Sequence, residues 1–248
     1  MKRQLLFLFI CSSMVSAEQV VITNRSISVG GVNIGRSANT GSIVIDGNVI
    51  QGADQIYDSG KEGQEHRVLP RFDEVVINIS ADVTIQAGRE PDVTIKADEA
   101  VIPLITTSVE NGRLIIDPKR SFATAHSIDI EIGAPHVVSV SLQGSGDIEL
   151  YGVSENRLVL KIDGSGDFKA AGNVDRLVVK TNGNGSLRLR QLITRHADIS
   201  IDGSGDADVF ARESLSAQID GSGNIVYYGS PHRVNKRVNG VGEIIAGS

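Results

Sequence analysis

The sequence predicts an all-β chain wound into a parallel β-helix, a solenoid with about 19 residues per coil. Three observations predict it. A glycine motif, typified by Asp163-Gly164-Ser165-Gly166-Asp167, occurs at residues 143–147, 163–167, 182–186, 202–206, 220–224 and 239–243. Its first glycines (Gly144, Gly164, Gly183, Gly203, Gly221, Gly240) are spaced by 20, 19, 20, 18 and 19 residues, a fixed period that marks a stacked repeat. Apolar residues alternate on both sides of each glycine pair, as in Leu158, Leu160, Ile162 before it and Phe168, Ala170 after it. Period-two alternation defines short strands with one buried face. Finally, aromatics make up only 4% of the chain, there is no Trp, and Val, Ile, Leu and Ala supply the apolar content. That composition suits thin repeated coils better than one bulky core.

A 19-residue unit cannot bury its own apolar face. Stacked coils can, each strand pairing in parallel with its equivalent about 4.8 Å away. Six such coils make a rod about 29 Å long. The competing architecture is an antiparallel sandwich with turns every 8–12 residues. Here the same motif returns only at every second turn.

In chain order, residues 1–17 read as a signal peptide. Lys2 and Arg3 precede an apolar run from Leu5 to Val15, and Val15-Ser16-Ala17 offers a cleavage site that leaves Glu18 at the mature N-terminus. The run is too short to span a bilayer. Cys11 is the sole cysteine, and Ile10 stands where a lipidation site needs a small residue. The mature chain therefore relies on packing and hydrogen bonds without disulfides.

Residues 18–65 are irregular, with strand-like Ile27-Ser28-Val29 and Ser42-Ile43-Val44-Ile45 between glycines. They are expected to form an N-terminal cap or degenerate coils. Residues 54–67 are polar and read as an exposed loop. The regular domain spans residues 66–248. Val75, Ile77 and Ile79 alternate, Ala81-Asp82-Val83 replaces the glycine turn, and aligning Ala81 with the first glycine of the motif keeps the register. Asn111-Gly112 marks a tight hairpin, and Ile128, Ile130 and Ile132 form a strand before the six clear coils. In the last coil Lys236 takes an inward position beside Arg233 and Arg237, where a charge blocks further stacking.

Two motif classes occur in a characteristic order. The first is Arg67-Val68-Leu69-Pro70-Arg71-Phe72-Asp73-Glu74-Val75 followed by Ala81-Asp82-Val83-Thr84-Ile85-Gln86-Ala87-Gly88. The second is Leu142-Gln143-Gly144-Ser145-Gly146-Asp147 with its later copies. Together they resemble the head GIN domain family, putative autotransporter adhesins, over about residues 66–248. The resemblance implies a secreted bacterial protein with a right-handed β-helical fold and no established catalytic residues. Without a translocator barrel, the chain resembles only the passenger portion of an autotransporter.

Candidate chemistry centres on the acidic residues flanking the glycines. Asp163, Asp202 and Asp220 precede the pair, and Asp167 and Asp206 follow it. Stacked carboxylates one strand spacing apart repel by about 0.9 kcal/mol in water. Asn182, Ser186 and Asn224 interrupt the columns, as a purely structural turn would require. The functional alternative is calcium, held by Asp163, Asp167, Asp202, Asp206 and Asp220. However, calcium-binding nonapeptide coils repeat their signature every nine residues, and here it comes once in about 19. The Gly-Ser-Gly segments feed strands rather than helices, which excludes a phosphate loop.

The five histidines, His66, His126, His136, His196 and His232, sit at unrelated phases, so neither catalytic residues nor cofactors are expected. The formal net charge is −6, and removing the two positive charges of residues 1–17 leaves −8. That balance argues against nucleic acid and anionic lipid as partners. The expectation is an exported, non-enzymatic module, periplasmic or surface-exposed, presenting a strand-built face to glycan or envelope material. The alternative is a carbohydrate-active enzyme, a lyase or hydrolase on the same scaffold, using clustered carboxylates such as Asp163, Asp167, Asp202 and Asp206.

Overall fold

The computed structural model describes residues 59–122 and 124–248, together with the backbone of five short strands nearer the N-terminus. Two units divide the chain: residues 1–57 with 120–124, and residues 58–119 with 125–248. In the first unit, β1 (Val20–Thr23), β2 (Ser26–Val29) and β3 (Val32–Ile34) form an antiparallel sheet. There, β4 (Ser42–Ile45) and β5 (Asn48–Gln51) form an antiparallel pair. The expected signal segment, residues 1–17, lies outside the described residues.

The second unit begins with β6 (Glu62–Val68), β7 (Glu74–Ile77), β8 (Asp82–Ala87) and β9 (Asp92–Asp98). A 3-10 turn at Ile102–Leu104 leads into β10 (Ile105–Glu110), β11 (Arg113–Pro118), β12 (Asp129–Ala134) and β13 (Ser139–Gly144). Four long bent strands follow: β14 (Ile148–Gly164), β15 (Phe168–Gly183), β16 (Leu187–Gly203) and β17 (Ala207–Gly221). The described chain closes with β18 (Ile225–Tyr228), β19 (Arg233–Gly240) and β20 (Ile244–Ala246).

Parallel pairing links these strands into two ladders. The pre-glycine ladder runs β11, β7, β13, then the last parts of β14 to β17, then β19. The post-glycine ladder runs β12, β8, then the first parts of β14 to β17, then β18 and β20. The fold is a parallel β-solenoid, as the repeat predicts. Leu160 pairs with Val179, Val179 with Ile199, and Ile199 with Ala217, all buried.

The column Ile148, Phe168, Leu187, Ala207, Ile225 fills the other arm of the core. Beside Phe168, the bulkiest of these, stands Ala170, where neighbouring coils place Leu150 and Leu189. Trading a large residue against a small one keeps the core volume level. Thr181 interrupts a column of Ile162, Ile201 and Ile219, and its buried hydroxyl lacks a hydrogen-bond partner.

The glycines answer to the neighbouring coil as well as to the bend. A Cβ on Gly164, Gly183 or Gly240 would lie 1.8–1.9 Å from the carbonyl oxygen of the equivalent glycine one coil back. These glycines also hold φ between +146° and +158°. The second glycine is equally constrained: a Cβ on Gly166 would lie 1.7 Å from the Gly146 carbonyl oxygen.

Three details differ from expectation. First, Val75 pairs with Val140 and Ile77 with Leu142, so Ile79 occupies the first-glycine position and Ala81 the second. The sequence alignment is two residues out, because a shift of two preserves inward and outward faces alike. Second, residues 62–67 are not loop. They belong to β6, a mostly exposed edge strand antiparallel to β9, and such a strand carries no alternating apolar signal.

Third, the coils do not stack in chain order. The coil built from β7 and β8 lies between the coil of β13 and β14 and the later-made pair β11 and β12. Residues between β8 and β13 double back to complete that end. β9 and β6 close the post-glycine ladder in antiparallel fashion, and β10 closes the other. The β10–β11 hairpin turns at Asn111 and Gly112, both at positive φ (52° and 78°), the geometry that Asn-Gly favours.

Candidate binding face

At five of the six corners, all but that of Asp206, the backbone of the residue after the glycine pair bonds to a side chain one coil back. The Asp167 N–H donates to Asp147 Oδ1 at 2.9 Å, and the Ser186 N–H donates to Asp167 Oδ1 at 2.9 Å. The Asn224 N–H likewise reaches Asp206 Oδ1 at 2.8 Å, and the Glu243 N–H reaches Asn224 Oδ1 at 3.1 Å. The Asp147 N–H binds Asp82 Oδ1 at 3.0 Å, which starts the chain of bonds. Each side-chain oxygen satisfies a backbone donor that the corner takes out of the ladder.

The calcium candidates are spread along these corners. Asn182 separates Asp163 from Asp202, and Ser186 separates Asp167 from Asp206. Asp202 and Asp220 are register neighbours. The Gln218 amide and then Asn239 Nδ2, the latter at 2.6 Å, donate to Asp220, and with Arg237 nearby they hold its carboxyl below the ordinary value. Among the described residues, no three His, Cys, Asp or Glu side chains converge to hold an ion.

One arrangement went unseen in the sequence. His196 Nδ1 lies 2.9 Å from Ser214 Oγ, and its Nε2 lies 3.6 Å from Glu213. The trio suggests a nucleophile, a base and an orienting acid. Its geometry does not support acyl transfer. Glu213 is already engaged by Arg195 at 2.8 Å, and 3.6 Å is too long for the orienting hydrogen bond. The strands around it pair on both sides, so their N–H groups are not available as an oxyanion hole.

The outward side of the pre-glycine ladder carries in-register columns. One runs Arg157, Arg176, His196, Ser214, Arg233. The next runs Val159, Val178, Asp198, Ser216, Asn235, and a third runs Lys161, Lys180, Ser200, Gln218, Arg237. A shallow groove of about 470 Å³ lies over the first two, lined by Arg176, His196, Asp198, Ser216, Arg233 and Asn235.

Cations on the post-glycine face are differently placed. Lys169 meets Glu149 at 3.4 Å, and Arg188 meets Asp167 at 2.9 Å. The Arg190 guanidinium lies 4.1 Å from the Tyr228 ring centre, a cation–π contact. Hydrogen bonds with Tyr151 and then Glu149 raise the Lys169 ammonium above its ordinary value. The cationic columns of the pre-glycine face escaped the sequence reading, because a net charge of −6 averages over them. The sign of each residue at a shared outward phase was the signal that could have found them.

Fold and surface together define a β-solenoid that displays repeated side-chain columns along its length. The chain belongs to the family described as putative auto-transporter adhesin, head GIN domain, whose model matches residues 71–231. The solved structure of a putative adhesin from Bacteroides fragilis is similar to it, with 21% identity and a TM-score of 0.63. That match covers 77% of this chain and 99% of the other. A putative adhesin from Parabacteroides distasonis is similar at 17% identity and a TM-score of 0.52, covering 78% of this chain and 100% of the other. These likenesses agree with the solenoid fold. No curated protein matches the chain.

Proposed function

We propose that the chain is an exported, non-enzymatic, adhesin-like module whose pre-glycine face binds glycan or another polymer of the cell envelope. The observation that carries this reading is the 470 Å³ groove across in-register polar columns. Polar side chains of differing kind stand there one strand spacing apart, a spacing suited to an extended ligand that offers polar groups at intervals. Membership of an adhesin family supports a binding role, and no helix among the described residues is long and apolar enough to cross a membrane. In this reading residues 1–17 direct export, residues 18–65 form the N-terminal segment and residues 66–248 form the binding domain.

A glycan array probed with the purified chain tests the binding role. Retention on particular glycans, lost when Ser216→Trp fills the groove, is the expected result. A silent array together with a negative screen of envelope fractions would remove it. Fractionation of producing cells and N-terminal sequencing test export. The expected finding is a chain beginning at Glu18 outside the cytoplasm.

A further inference from the structure

Four basic side chains make a rectangle on the pre-glycine face. Arg157 pairs in register with Arg176, and Lys161 with Lys180, on the same two strands. Between the two pairs lie Val159 and Val178, half-buried and also in register. All four cations are exposed, and none forms an ion pair with a described residue. Elsewhere on the solenoid Arg188, Lys169 and Arg195 pair, whereas Arg212 and Arg233 form no ion pair with a described residue.

Like charges directly opposite across strands are destabilising. The repeat has neutral residues available for these positions, since Ser214 fills the arginine column and Ser141 and Ser200 fill the lysine column. Four stacked cations therefore bring the fold a repulsion and no compensating contact. Their placement makes sense against an external anion.

We propose that this rectangle binds a linear anionic polysaccharide lying along the rod axis. The inference rests on the reading that this face takes glycan, and it names the glycan's chemistry. The two cation columns lie about 13 Å apart along the strands, four residues at about 3.3 Å each. One polymer chain fits between them, its apolar ring faces on Val159 and Val178 and its end short of Asp198, the next residue of that column. The guanidinium groups of Arg157 and Arg176 offer paired N–H donors to carboxylate or sulfate on one flank. Lys161 and Lys180 offer point charges on the other.

The surroundings favour a narrow polyanion over a broad one. The column beside the lysines carries Asp163, Asp202 and Asp220, which repel a wide anionic membrane. The rectangle has no aromatic side chain on which bases could stack, so single-stranded nucleic acid gains only charge.

The test titrates the full chain with polygalacturonate and with its methyl ester, which has the same backbone without the charge. Phosphatidylglycerol vesicles and single-stranded DNA are further arms. The comparison protein carries Arg157→Ser, Arg176→Ser, Lys161→Ser and Lys180→Ser, residues that the repeat already tolerates at these phases. Binding to polygalacturonate is expected, at least tenfold weaker for the methyl ester and for the variant, with the variant's melting temperature no lower. Equal binding to the ester, undiminished in the variant, would overturn this inference and leave the glycan reading standing. Preferential capture of vesicles or DNA through the four cations would also overturn it. Binding to neither polymer, with a silent glycan array, would remove both readings.

Discussion

The Ser186 N–H donates to the carboxylate of Asp167 one coil back, at 2.9 Å. That bond assigns the acidic corner a structural duty: an oxygen acceptor for the backbone of the next coil, as at four further corners. Charge matters less there than the acceptor. Asp167→Ala is expected to cost about 1 kcal/mol, the worth of one such bond. Asp167→Asn, which retains an oxygen, is expected to cost less than half as much. Urea melts of the three proteins measure it. Equal losses for both variants would mean that the charge, through Arg188, carries the effect.

Gly183 cannot accept a side chain. Its Cβ would lie 1.9 Å from the Gly164 carbonyl oxygen, at a φ of +150°. Backbone cannot step aside as a flexible side chain can, so Gly183→Ala is expected to cost about 3 kcal/mol or more. Gly60→Ala is the control. It has positive φ but open space around it, so only about 1 kcal/mol is expected. Chemical denaturation of both gives the comparison, and similar losses would contradict the carbonyl-contact account.

Thr181 puts a hydroxyl without a hydrogen-bond partner in a column of isoleucines. Thr181→Val is expected to raise stability by about 1 kcal/mol, because the buried group gains nothing for its lost hydration. A loss of stability would mean that the hydroxyl is satisfied in solution.

Asp98 is only 2% exposed. Burial pushes its carboxyl up, but hydrogen bonds outweigh it, from the backbone at Ser59, Ala100 and Gly60 and from the Ser59 side chain. They hold the group at about 2. A carboxyl lowered on folding adds stability that is fully present above its unfolded value, about 3.9. That contribution is lost as pH falls through about 2. Between these limits, melting temperature is expected to fall with pH more steeply for the natural protein than for Asp98→Asn. Parallel slopes would exclude Asp98 as the cause.

Lys236 continues the column that ends in Ala217, and its ammonium reaches across to the Ile244 carbonyl oxygen at 2.9 Å. It also lies 4.8 Å from the Tyr227 ring centre. Lys236→Ile would extend the apolar column to an unpaired edge. Sedimentation is expected to show concentration-dependent association for that variant and not for Lys236→Arg. A monomeric isoleucine variant would mean that the edge is guarded by something else.

Much of the solenoid was legible because each coil repeats the same inward phases. Leu160, Val179 and Ile199 could be placed above one another from spacing alone. Where the repeat weakens, so did the reading. Ile79 and Ala81 were set two residues early, since the alternation is blind to even shifts. Residues 62–67 carried no apolar alternation, and their strand is held by backbone pairing to β9. The acidic corner was visible as residues, but its backbone partners were not, because the acceptor of an N–H depends on how coils approach. The Arg157, Arg176, Lys161 and Lys180 rectangle lay in plain text, hidden by a net negative total.

The coil at β7 and β8 is made early but flanked on both sides by later segments. A chain that emerges N-terminus first therefore carries two open strand edges until residues near 151 have followed. Beyond that point each new coil needs only the one before it, so winding can proceed stepwise, as in other nearest-neighbour arrays. The slow and vulnerable interval of biogenesis belongs to the first half of the domain, where a premature stop leaves sticky edges. Later truncations, by contrast, shorten a rod that has already set.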